Sequence, residues 1–193
     1  CNEDIALMRT IPGMVILNPA DDTEAKLAVK AAVEHDGPVY LRFGRLAVPV
    51  IFGDDYKFEI GKGVLLNEGT DLTIVATGIM VDVALEAKEI LASQGISARV
   101  INIHTLKPID SDILVKAAKE TGAIVTVEEH SIIGGLGSAV SEVLGEVCPV
   151  PVVKVGINDQ FGQSGKPDEL LEYYGLTAAN VVEKVKRAIE LRR

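Results

Sequence analysis

Residues 126–144, TVEEHSIIGGLGSAVSEVL, set two acids, a histidine and three closely spaced glycines between a β-branched run and a helical pattern. If this is a strand-to-helix turn at the carboxyl edge of a parallel sheet, the free amides near Gly134, Gly135 and Gly137 can bind an anion. The spacing GGxG is not the dinucleotide fingerprint GxGxxG, and the lysine and hydroxyl of a P-loop are missing. Glycines also serve a purely structural end here, permitting positive φ and a close approach of helix to strand. Both readings stay open on these residues alone. His130, next to Glu128 and Glu129, is placed either to hold an anion or carry a proton, or to plug the turn with hydrogen bonds. His104 follows the apolar run 98–103 and falls on the same kind of ligand-bearing strand end.

Two arginines stand in YLRFGRLAVP at residues 40–49. A guanidinium fork suits a phosphate, although an arginine at such an edge is often only a solvated charge. Arg45 is the better candidate of the two, because Gly44 lets the chain bend where the strand ends. No HxxxH pair, cysteine pair or DxDxDG loop offers a metal site, so none is expected. The serine elbow GxSxG is absent as well.

These residues need a scaffold, and the periodicity supplies one. The opening CNEDIALMR lacks an initiator methionine and begins in a helical pattern, as if cut from a longer chain. A helix over residues 2–9, a strand over 14–17, a helix over 23–34 and a strand over 39–43 follow in order. In the second helix Leu27, Val29, Ala31 and Val33 are expected to form the apolar face. Two strands make a poor sheet, so residues 1–45 read as the latter part of an α/β domain. Residues 46–69, with Pro49 and four glycines, read as an extended linker. From residue 70 onward, strands at 72–77, 98–103, 123–127 and 151–155 alternate with a helix that follows the turn at Gly78, carries Val81 to Leu91 and is ended by Gln94-Gly95, and with helices at 110–120 and 137–147. That βαβαβαβ rhythm predicts a doubly wound, mostly parallel sheet with apolar strands covered on both faces. Two further helices close residues 70–193, the last with bases suited to its negative end. The fold class is α/β.

Bulk properties narrow the function. Lysine and arginine number 19 against 28 acids, a net charge of −9 across 193 residues, which argues against tracking nucleic-acid phosphates or binding anionic membranes. Two cysteines cannot build a disulfide framework, and no apolar run reaches the roughly 20 residues needed to span a bilayer. A cytoplasmic location is expected.

Several stretches together carry a family likeness: EDIALMRTIPGMVILNPADDTEAKLAV, GPVYLRFGR, INIHTLKPID and VEEHSIIGGLG. In this order and over essentially the whole chain they resemble the second half of transketolase, and in particular the separate C-terminal subunit of split transketolases. Deoxyxylulose phosphate synthase and the β subunits of 2-oxo acid dehydrogenases share the scaffold, but His104 before TLKP and His130 favour transketolase.

The resemblance implies a thiamine diphosphate enzyme with a divalent cation that moves two-carbon ketol units between sugar phosphates in the pentose phosphate pathway. It implies a pyrimidine-binding remainder at 1–45 and a C-terminal domain at 70–193, with the catalytic glutamate upstream of Cys1. The diphosphate and metal then belong to an N-terminal transketolase subunit, so the chain alone is expected to bind neither and to be inactive. A second copy of the chain is the other implied partner, giving a dimer. Arg45 matches the arginine that grips the substrate phosphate, and the glycine turn becomes mainly architectural, with anion binding or subunit contact as secondary roles for His130, Gly134, Gly135, Gly137 and His104. A rival reading from another class is a non-catalytic assembly or anion-sensing module built on residues 70–193.

Overall fold

The computed structural model describes residues 1–192. Two sheets are formed, and the second is the larger. Strands β4 (Leu72–Ala76), β5 (Ala98–Asn102), β7 (Ile124–Ser131) and β8 (Val152–Ile157) run parallel in the order β5-β4-β7-β8. Every residue of β4 and β5 is buried, the pattern of strands covered on both faces. Alternation sorts their side chains: Leu72, Ile74, Ala76 and Val100 join one core with α3 (Met80–Ser93) and α7 (Ala178–Leu191), whereas Val75 and Ile101 join another with α4 (Ser111–Thr121) and α5 (Leu136–Val147). The doubly wound, mostly parallel sheet expected from the rhythm is present.

The segment expected as linker does more than connect. Within it β3 (Val64–Asn67) pairs antiparallel with β5 and covers that edge of the sheet. Its burial is only partial and its run is four residues long, so neither length nor periodicity separates it from the glycine-rich chain around it. The Gly63 amide donates to Asp110 Oδ2 at 2.9 Å while Asp110 Oδ1 accepts from the Ile113 amide as the cap of α4. One carboxylate thus fixes both the entry to β3 and a helix start.

The smaller sheet has the order β2-β1-β6: β1 (Val15–Leu17) lies parallel to β2 (Val39–Leu41) and antiparallel to β6 (Thr105–Lys107). The sequence pattern does not announce β6. Its three residues belong to the second half of the chain, so this pairing stitches the two halves together. α1 (Asp4–Arg9) and α2 (Asp22–Glu34) complete this part, and the apolar face of α2 differs from expectation. Glu24 and Ala28 are the buried positions, while Val29 is 43% and Val33 82% exposed.

The reason is a polar network that fixes the rotation of α2. Glu24 accepts from the Ala20 amide at 2.7 Å, from the Tyr56 hydroxyl at 2.7 Å and from Asn102 Nδ2 at 2.9 Å. Beside it, Asp21 caps α2 through the Glu24 amide and receives the Ile51 and Phe52 amides on its other oxygen. Buried amides left without a partner cost more than an exposed hydrogen bond gains. Replacing Asp21 with alanine is therefore expected to lower the unfolding free energy by about 3 kcal/mol, the sum of a lost cap and two orphaned amides. Urea unfolding checks this, with Asp21→Asn expected to lose less because its side chain still caps the helix.

Candidate functional site

The glycine turn is built on an extended strand. β7 continues through Glu128, Glu129 and His130 to Ser131, so these residues alternate instead of sitting in the turn itself. Glu128 and His130 are fully buried, and Glu129 faces the opposite side with about a third of its side chain exposed. The amides at the start of α5 are already occupied. Leu136 N–H donates to Glu128 Oε2 at 2.6 Å, and Gly137 N–H donates to Oε1 at 2.9 Å. An internal carboxylate fills the anion hole that the spacing of Gly134, Gly135 and Gly137 promised. Burial pushes the Glu128 carboxyl up to about 7, opposed by the two amides, Lys154 and Arg9. A Cβ on Gly135 would overlap that carboxylate and come within 2.7 Å of His130 Nδ1. Glycine is required there to bring helix and strand together around the acid.

His130 is committed to the same packing. The Ala6 amide of α1 donates to its Nε2 at 3.3 Å, which leaves the proton on Nδ1, 2.7 Å from the Ser131 carbonyl that it bonds. Burial holds its pKa below the usual histidine value, against the pull of the Ser131 carbonyl and Asp4. Gly134 accepts Arg9 at its carbonyl, and Ile5 enters the core formed by Leu136 and Val140.

Strand order places the topological switch of the larger sheet between β4 and β7, the crevice where open α/β sheets take ligands. Here α1 covers the β7 side, and Asn18 Nδ2 donates to Thr77 beyond β4 at 3.1 Å. The first part of the chain is the occupant of that crevice.

His104 is committed to packing. It is buried, its ring lies 4.2 Å from Phe58 by centroid, and Nδ1 meets the Thr105 hydroxyl at 2.9 Å. Burial pushes its pKa down to about 4, so near neutral pH it carries no charge to offer.

The two arginines separate cleanly. Arg42 is enclosed: Nε donates to Asp4 Oδ2 at 3.0 Å, a terminal nitrogen donates to the Glu129 carbonyl at 2.9 Å, and Nη1 lies 3.6 Å from the Glu129 carboxylate. Tyr40 donates its hydroxyl to the same Asp4 oxygen at 2.8 Å, and Arg42 with Tyr40 outweighs burial in holding the Asp4 carboxyl below its usual range. Arg45, three residues on and past the end of β2, is exposed and makes no ion pair among the described residues. It lines two cavities at once. One, of about 480 Å³, lies against Gln163 and, on or beside α6 (Pro167–Tyr173), Lys166, Leu170 and Tyr174; the other, of about 460 Å³, lies against Asp4, Tyr40, Arg42 and Phe43, and Glu129 borders both. The sequence offers Arg42 only as the lesser of two phosphate candidates and Glu129 only as a neighbour of His130, and it does not tie either to Asp4; a buried Arg–Asp pair between a first-turn acid and an edge strand leaves no local spacing to read.

Known proteins share this arrangement of sheets. The family model "Transketolase, C-terminal domain" matches residues 61–181, and "Transketolase, pyrimidine binding domain" matches residues 2–50. The 6-deoxy-6-sulfo-D-fructose transketolase subunit SqwH of Clostridium sp. (strain MSTE9) is 48% identical over 188 residues, covering 97% of this chain and 58% of the relative. One of the subunits of an apulose-4-phosphate transketolase from Phocaeicola vulgatus is 47% identical over 174 residues, covering 90% of this chain and 55% of the relative. A solved split gene transketolase, described as an inactive beta4 tetramer, superposes with a TM-score of 0.97 at 55% identity, covering all of this chain and 63% of that one. The chain belongs to the transketolase family. It spans a little over half the length of these curated relatives.

The family implies thiamine diphosphate in the complete enzyme. The feature most like a phosphate cradle in this chain does not fit a diphosphate, because Glu128 already sits on its amides. Among the described residues no group of three or more His, Cys, Asp or Glu side chains is arranged to hold a metal ion, and no helix is long and apolar enough to cross a membrane.

Two outcomes test this geometry. Glu128→Ala strips two buried amides of their acceptor and is expected to cost about 2 to 4 kcal/mol in chemical unfolding; added phosphate should not restore it. His104 supplies a pH signature. Its folded pKa lies below the unfolded value of 6.5, so its neutral burial contributes fully above 6.5 and is lost as pH falls toward 4, on the order of 3 kcal/mol. The urea midpoint of the parent protein should therefore drop across that window relative to His104→Gln, which has no proton to gain.

Proposed function

We propose that the chain supplies the substrate-gripping and assembly half of a ketol-transferring enzyme that uses thiamine diphosphate and a divalent cation held by an N-terminal partner subunit. Arg45 holds the terminal oxyanion of the sugar. The observation that carries this reading is the contrast between two neighbouring arginines: Arg42 is saturated by Asp4 and Glu129, whereas Arg45 projects unpaired into two cavities. A fork with its donors free near a carbohydrate-sized space is suited to a tetrahedral oxyanion. The relatives' names support that class, since one carries a 6-sulfo group and the other a 4-phosphate. Both are terminal tetrahedral oxyanions on a short sugar chain.

Arg45 binds without reacting, so its contribution is to ground state and transition state alike. Self-association with a second copy is part of the same proposal, supported by the exposed Val29 and Val33 of α2.

Replacing Arg45 with alanine in the assembled enzyme is expected to raise the sugar phosphate KM about 10- to 100-fold, the equivalent of a charge-assisted pair, with kcat nearly unchanged. Arg45→Lys should recover part of the loss. A KM that does not move in either variant removes Arg45 from substrate binding.

A further inference from the structure

We propose that Glu129 is a specificity residue that tunes the Arg45 site toward a terminal oxyanion of single negative charge and against a dianion; this rests on the reading of Arg45 as the oxyanion grip. Alternation along β7 turns Glu128 and His130 inward and Glu129 outward, so of the three side chains only Glu129 reaches the cavities that Arg45 lines. Its backbone and side chain are both held by Arg42, at 2.9 and 3.6 Å. The acid borders both cavities that Arg45 lines, with its backbone in a strand and its carboxylate 3.6 Å from Arg42.

The charges around it balance in a particular way. Arg42 is matched by Asp4 at 3.0 Å, a pair that is nearly buried. In the cavity beside β2 the charged side chains are Asp4, Arg42, Arg45 and Glu129, two of each sign, and Arg42 is shared between Asp4 and Glu129, so Arg45 adds its charge to a lining that is neutral overall. In the other cavity the charged lining is Arg45, Glu129 and Lys166, and Lys166 is 83% exposed with Glu169 at 3.8 Å. An incoming anion is therefore attracted by Arg45 and repelled by Glu129. For a sulfonate or a protonated phosphate both effects scale with one charge. For a phosphate dianion the attraction doubles, but so does the repulsion by Glu129, and the loss of hydration that entry requires grows as well. A lining whose acids match its guanidinium groups in number removes most of the advantage a second negative charge would bring.

The test uses the assembled enzyme with two ketol donors that differ only at the terminal group, fructose 6-phosphate and 6-deoxy-6-sulfofructose. The expected result for Glu129→Gln is a rise in kcat/KM for the phosphate of about three- to tenfold relative to the sulfonate, with the thermal midpoint recorded alongside. In the parent enzyme, the phosphate-to-sulfonate ratio of kcat/KM should rise as pH falls from about 8 to about 6, because phosphate takes up a proton near pH 6 and sulfonate does not; this comparison holds even if the variant fails to fold. A ratio unmoved by Glu129→Gln and by pH overturns the proposal. Arg45→Lys separates the two claims: it should weaken both donors together, and if it weakens neither, the oxyanion grip itself is lost whatever the ratio does.

Discussion

A carboxylate buried at the start of a helix organises this chain. Glu128 satisfies two amides of α5 from within β7, and the cost of burying its charge is offset only while those amides, Lys154 and Arg9 stay close. That requirement excludes any side chain at Gly135, closes the turn against α1 through His130 and Gly134, and draws Ile5 into the core of the larger sheet. The crevice at the switch point, where this kind of sheet offers a ligand site, is spent on joining the two halves of the chain. The β1–β6 pairing and the Glu24–Asn102 bond make the same connection elsewhere.

The proposed grip on a substrate lies instead at the surface where the halves meet, around Asp4, Tyr40 and Arg42. This buried pair fixes the exit of β2 from which Arg45 emerges. The rigid pair and the unpaired guanidinium are three residues apart: Arg42 is committed to position, and Arg45 is left with its donors open, as the proposed grip requires. Glu129, presented by the strand whose neighbouring residues lock the turn, links the two. β7 would thereby couple stability to the proposed recognition: its inward residues hold the halves together, and its outward residue borders the cavities that Arg45 lines.

Much of the large sheet is legible in the sequence because its strands are β-branched, apolar and separated by amphipathic helices. β3 and β6 are not, since three or four half-patterned residues form a strand only when a partner is already in place. The rotation of α2 escapes the pattern for a related reason: hydrophobic periodicity selects Val29 and Val33, whereas the buried side is set by an acid, Glu24, whose partners Tyr56 and Asn102 lie far along the chain. The glycine turn is readable as an anion cradle, yet its occupant hides eight residues upstream of Leu136, inside what looks like the turn. Strand period 2 extended past Val127 puts Glu128 and His130 on one side and Glu129 on the other. The bend at Gly44 favours Arg45 over Arg42, and their different environments are consistent with that choice, although Asp4, which makes the difference, carries no signal of its own.

The most direct measurement is a titration of the chain, selectively labelled with ¹⁵N, with inorganic phosphate and then with a sugar phosphate, following the amides of Leu136 and Gly137 together with the guanidinium of Arg45. A turn sealed by Glu128 predicts that the two amides stay fixed and protected from exchange while the Arg45 resonance shifts. Saturable shifts at Leu136 and Gly137, with Arg45 unmoved, would mean that the turn is the ligand site and would contradict the account.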